Sequence, residues 1–336
     1  MDWGLEMSEK FINSRLNTVG GQAVIEGVMM KHKNNYAITV RKPDGTLDVK
    51  SYKFQSLKKN SRVLKLPLIR GFINFIDMMI LSYGTLTKAT DMLGIAEIEE
   101  KSRFEKWMNK HFSSSFLNFV MGLATVFSLF LAIVMFIILP TAAGGLINLW
   151  IELGWTRALV EGLVRIVILV LYLYLVSLIP DMKRVFQYHG AEHKSVFCYE
   201  SGKELTPENA KTFKRFHPRC GTSFLFVLII ISIIVSSFIP FTGIWLRTIT
   251  KIIVAPIVIS LGYEFLMYSG NHDNKLVKIL VAPGLWMQRI TTQEPDDTML
   301  EVALVSLQAA MPDIFPDFIP PTNANKDENI NTQNNM

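Results

Sequence analysis

The sequence predicts a mainly α-helical, polytopic membrane protein. About four transmembrane helices are expected, with a small N-terminal β-containing module and flanking amphipathic helices. Three observations predict this class. Residues 116–140 and 222–246 each run 25 positions without a charged side chain, more than the ~20 apolar residues that span a bilayer core as a helix. Segments 158–180 and 248–269 are of similar length, and each carries one acid and one base. Lysine and arginine are also distributed unevenly between the connections.

The first span gives way to a connection, 141–157, that holds a single basic residue, Arg157, and the turn near 247 holds only Arg247. The connection 181–221 holds eight: Lys183, Arg184, Lys194, Lys203, Lys211, Lys214, Arg215 and Arg219. The region before the first span is richer still. Basic residues mark the cytoplasmic side, so both termini and the connection 181–221 are expected there. The basic excess (net charge +5) therefore follows from orientation, and no nucleic-acid partner is expected. The lipid bilayer is the expected partner, with other membrane proteins as further candidates.

With half of its 336 residues hydrophobic and only two cysteines, the composition excludes a soluble enzyme, a disulfide-built secreted domain, a collagen-like chain and a wholly disordered one. The first 20 residues lack an apolar core segment, and no cleavable leader is expected.

Residues 1–112 read as a cytoplasmic module. Segment 36–54 alternates apolar and polar residues around Pro43-Asp44-Gly45, the pattern of a β-hairpin, and 20–30 offers a further strand. Segment 67–93 is interrupted by Arg70 and Asp77 and reads as an amphipathic helix on the membrane or the bundle. A charged stretch, 97–110, leads into a membrane domain over 113–270. Within 158–180, Glu161 and Arg165 stand one helical turn apart and can neutralise each other. A cytoplasmic helical segment over 271–311 contains the amphipathic stretch 274–290. It continues into a helix whose start is marked by Glu294-Pro295-Asp296-Asp297. The Asn-rich tail, 312–336, reads as disordered.

The densest chemistry lies in the connection 181–221. His189 and His193 are four apart and share a face if that segment is helical, with Glu192 one residue to the side. This is an H-x-x-E-H spacing, in which two histidines bind zinc and the glutamate acts as general base. Cys220 and His217 follow within 32 residues of His189, and imidazole with thiolate suits zinc. The alternative is a polar loop with surface histidines. Glu264, an acid inside an expected span, is a third candidate ligand by default. Equally, it is a structural partner for an arginine or tyrosine. Cys198 reads as an apolar filler, Glu26 as a polar strand residue in preference to a ligand, and His32 and His111 as solvated. His272-Asp273 reads as a surface turn. Gly20, Gly21 and Gly27 match no nucleotide-binding fingerprint.

Several longer motifs resemble the YqhQ family. They are Gly20 through Met30, Pro67 through Gly71, Tyr188 through Lys194, His217 through Ser223, Pro283 through Thr292 and Glu294 through Ala303. The resemblance runs from about residue 18 to 310. It implies a bacterial integral membrane protein of a group described as metal-dependent enzymes, with no established reaction to carry over. The residues allow a metal-dependent hydrolase, with a divalent metal such as zinc on His189 and His193, completed by Cys220, His217 or Glu264, and Glu192 as base. They equally allow a non-catalytic scaffold in which the metal staples the connection. A transporter is disfavoured, since charges within the spans are few and no broken-helix pair appears.

Overall fold

The computed structural model describes residues 15–16, 18–60, 63–66, 69–94, 114–271 and 275–321. The expected charged segment 97–110, His111, His272-Asp273 and residues 322–336 lie outside the described residues.

Strands β1 (Val19–Val24), β2 (Gly27–His32), β3 (Asn35–Arg41) and β4 (Leu47–Lys53) form an antiparallel meander in sequence order. The expected hairpin is β3–β4. Segment 20–30 supplies two strands where one was expected, because Glu26 takes a positive φ of 50° and lets Val24 pair directly with Gly27. Two-residue hairpin loops need such left-handed backbone. Glu26 is thus a turn residue, not a strand residue.

Both faces of the sheet are apolar, and the period of two sorts them. Val28, Met30 and Ala37 pack against helices α5 (Pro180–Glu200) and α10 (Asp297–Ala309). Met29, Ile38 and Val40 pack against α1 (Ile69–Leu93). The expected N-terminal module is therefore completed by residues from much later in the chain. Residues 312–321, expected to open a disordered tail, are placed as turns, and Phe315 and Phe318 pack on the same core.

Three helical stretches are long and apolar enough to cross a membrane: Gly122–Asn148, Gly154–Ser177 and Ile244–Ser269. The first comprises α2 (Ser114–Ile133), a π-helical turn (Val134–Ile138) and α3 (Leu139–Asn148). The second contains α4 (Arg157–Ser177), and the third lies within α8 (Ile244–Asn271). The first stretch runs on past Pro140, where the expected span ended. Pro140 has no N–H to offer the Phe136 carbonyl four residues back, and Arg165 Nε donates to that carbonyl instead (2.8 Å).

The expected span 222–246, one of four, is corrected. Its apolar run divides into α7 (Gly221–Ser237) and the start of α8, with a non-helical connection around Pro240. Seventeen residues of α7 rise only ~25 Å at ~1.5 Å per residue, against a ~30 Å hydrocarbon core. An unbroken apolar run does not reveal a helix break inside it.

Glu161 and Arg165 do not pair as expected. Glu161 accepts from Arg157 (3.1 Å), Arg247 (2.8 Å) and Lys251 (2.5 Å), all of them buried. Arg165 instead donates to the Phe136 carbonyl (2.8 Å) and Ser232 Oγ (2.5 Å). Helix α5 is a separate helix rather than a continuation of α4: Ile179 turns extended (ψ 125°) and Pro180 starts the new helix. It stops at Gly202, whose φ is +77°. The short α6 (Pro207–Lys211) is capped by the Thr206 side chain, which accepts from the Asn209 amide, and α9 (Lys275–Thr291) precedes α10.

Candidate functional site

Helix α5 is rich in polar residues yet largely buried, because the sheet, α6 and α10 surround it. The helical premise for the H-x-x-E-H segment therefore holds, and the imidazoles of His189 and His193 share a face, with ring centroids 4.4 Å apart. Gly190 lies between them where the backbone of residues 291–295 crosses the helix. A Cβ at Gly190 would stand 2.1 Å from the Gln293 carbonyl oxygen, so only glycine permits this crossing.

That crossing and the connection after α6 supply an anchor for each ring. His189 Nδ1 lies 2.8 Å from the Thr291 carbonyl, and His193 Nδ1 lies 2.5 Å from the Arg215 carbonyl. A carbonyl can only accept, so each Nδ1 carries the proton and each Nε2 presents a lone pair. His189 Nε2 is 3.2 Å from Cys220 Sγ. Cys220 occupies the N-cap of α7, and the Thr222 hydroxyl donates to its sulfur at 3.3 Å. One donor atom each from His189, His193 and Cys220 lies within 4.8 Å of the others.

Glu192 is buried against this group, its Oε2 3.5 Å from His193 Nε2. Strand β1 passes over it at Gly21, where a Cβ would fall 2.6 Å from Glu192 Cγ. The Gly21 amide hydrogen-bonds the Glu192 side chain. Burial pushes the carboxyl up to about 7, opposed by nearby His189 and by that amide.

His217 stands one step behind, its ring 5.5 Å from His193 and 4.5 Å from Phe197. Burial lowers it to about 4, which makes it neutral at physiological pH. Its nitrogens face Arg219 (3.3 Å from each) and Glu200 (3.8 Å), while Arg219 bonds both Glu200 oxygens at 2.6 Å. Gln288, fully buried on α9, accepts from the His217 amide and donates to the His217 carbonyl, both at 2.7 Å.

Glu264 is not brought to the histidines. Arg70 of α1 holds it through two bonds of 2.7 and 2.5 Å, so it is the arginine partner of the alternative expectation. Glu26 pairs with Arg184 at 2.5 Å. His32, expected to be solvated, is buried. Its Nδ1 bonds the Thr18 carbonyl (3.0 Å), and Asp313 stands 3.6 Å from Nε2. Cys198 is the expected apolar filler.

Sequence reasoning missed the two anchoring carbonyls, Gln288 and the Glu200–Arg219 pair. No side-chain pattern marks a backbone acceptor. A signal for Gln288 was present, since it lies within the quoted motif Pro283 through Thr292.

Residues 66–313 match the protein family described as "Protein of unknown function (DUF1385)". The "Uncharacterized protein YqhQ" of Bacillus subtilis (strain 168) is 34% identical over 290 residues, which make up 85% of this chain and 90% of that relative. No solved structure matches this chain.

Proposed function

Because the chain belongs to the YqhQ family, for which no reaction is established, we propose its function from the site alone: a membrane-anchored, metal-dependent enzyme, of the hydrolase class. His189, His193 and Cys220 would hold the metal, and the donor set fits one. Two imidazoles and a thiol are the chemistry of zinc sites, and three protein ligands leave a position open, as catalytic zinc does. The observation that carries this reading is the pair of Nδ1 anchors on Thr291 and Arg215, which leave Nε2 of each histidine as the nitrogen open to a metal, that of His189 3.2 Å from Cys220 Sγ. Backbone anchors on the distal nitrogen are the usual support of a metal-binding histidine.

When bound, zinc supplies Lewis acidity and brings the pKa of a water to ~7. Glu192, buried beside His193 and with its own carboxyl near 7, is matched to take and return a proton near neutral pH. The wall behind the site is made of His217, Arg219 and Glu200, joined to one another by hydrogen bonds.

Metal analysis of protein purified in mild detergent tests this reading. Wild type is expected to carry about one equivalent of metal, His193→Ala and Cys220→Ala far less, and Glu192→Gln as much as wild type. Equal metal in wild type and His193→Ala would overturn it.

One observation favours a second reading, a structural metal in a scaffold: the His217 ring stands 5.5 Å from that of His193, and a turn of its side chain away from Arg219 would offer a fourth ligand. In that case His217→Ala would lose metal as fully as His193→Ala does.

The placement proposed with this function has the sheet, α5 and α10 on the cytoplasmic side. These three elements share one core. Helices α7 and α8 support the arrangement, since they run antiparallel: early α8 (Arg247) bonds the Ser236 carbonyl, and late α8 (Gly262) abuts Leu228. In this placement α7 and the connection after it carry the chain away from that side, and α8 carries it back before α9.

A further inference from the structure

Between α4, α7 and α8, against Phe136 and Ile137 of the π-helical turn, lies a cavity of about 420 Å³. Its walls are mostly aliphatic, formed by residues such as Leu169, Leu225, Ile229 and Val258. A space with such walls gains little from water and forfeits dispersion contacts if empty. One part of the wall is cationic. Arg165 and Lys251 line it beside Ser232 and Ser236.

The charges in this region do not balance. Three cations, Arg157, Arg247 and Lys251, surround the single carboxylate of Glu161. Arg165, permanently charged, makes no ion pair among the described residues. Its bonds go to the Phe136 carbonyl and Ser232 Oγ, which leaves Nη2 without an acceptor there. Arg157 Nη2 is buried without a partner among the described residues. Uncompensated cations inside an apolar bundle are costly and mark a site for negative charge.

We propose that this cavity binds an amphiphile that combines a hydrocarbon chain with an anionic headgroup. The chain lies along Leu169, Ile229 and Val258, and the headgroup is held by Arg165 and Lys251. Leu225, the first α7 residue of the cavity, is five positions after Cys220, or about 7 Å along the helix at ~1.5 Å per residue. The cavity therefore extends from just beneath the histidine–cysteine group toward the cation cluster. This site does not depend on a metal.

The test uses the full chain in mild detergent and three probes with one diazirine-bearing C16 chain: the fatty acid, the fatty alcohol and a phosphatidylglycerol. Saturable photolabelling of α4, α7 and α8 peptides by the acid or the phosphatidylglycerol is expected. The neutral alcohol should label at least tenfold less. Labelling by the acid alone or by the phospholipid alone would support the proposal and identify the source of the headgroup. Arg165→Gln should reduce labelling about tenfold. Ala255→Phe, which narrows the cavity and leaves every charge in place, should do the same if the arginine variant does not fold. Equal labelling by the alcohol, unsaturable labelling typical of surrounding lipid, or full labelling of Ala255→Phe would overturn the proposal.

Discussion

Two backbone carbonyls decide what His189 and His193 can do, because each fixes a proton on Nδ1 and turns a lone pair inward. Glu192 completes the arrangement and carries a pH dependence of its own. Its carboxyl is pushed up to about 7 from an ordinary 4.5. Between those values the folded protein keeps a proton that the unfolded chain has lost, so this group's contribution to stability is present at low pH and fades as pH rises toward 7. In chelator-treated protein, Glu192→Gln should therefore be more stable than wild type at pH 8, by about 3.5 kcal/mol at ~1.4 kcal/mol per unit. The gap should close as pH falls to 4.5. Thermal midpoints across that range check it, and a gap that does not change with pH would contradict the burial account. The shared face of His189 and His193 was legible because helix periodicity puts i and i+4 together, whereas Glu192 and Cys220 were singled out only by residue type and nearness in sequence. Glu264 was not, since an acid in an apolar run looks the same whether its partner is a metal or the distant Arg70.

Among the elements, α5 matters most, and Gly190 is its critical position. As an isolated helix residue Gly190 costs ~1 kcal/mol against alanine, a weakness in any sequence-based assignment. The tertiary structure reverses that judgement, because the 291–295 backbone passes where a Cβ would lie. Gly190→Ala should be destabilising by about 1–3 kcal/mol, the cost of overpacking. It should also push the Thr291 carbonyl away from His189 and lower metal content. Calorimetry together with metal analysis tests this, and a variant as stable and as metal-replete as wild type would refute the crossing. The other element misjudged from sequence, 222–246, failed for a different reason. Hydropathy sums over Pro240 and reports one run where the backbone makes two helices.

At the scale of the whole molecule, residues 19–53, 180–200 and 297–309 form one body, a sheet with two helices on one face, and the helices between them must leave it and return. That closure predicts a topology. In intact cells a membrane-impermeant maleimide should label Glu152→Cys, in the exposed connection before α4. Lys50→Cys, exposed on β4, should react only after the cells are opened. Labelling of both from outside would contradict the shared core or the placement of the spans.

Composition and periodicity by themselves determined the mainly helical, membrane-compatible class, the hairpin, most helix starts and the histidine face, because each depends on neighbours within a turn or two. Only the tertiary structure decided which carbonyls orient the histidines, which acid stays away from them, and which cations remain unbalanced among the apolar helices. Those outcomes depend on contacts between residues 22 to 194 positions apart, from His193 with Arg215 to Arg70 with Glu264, and no local pattern encodes them.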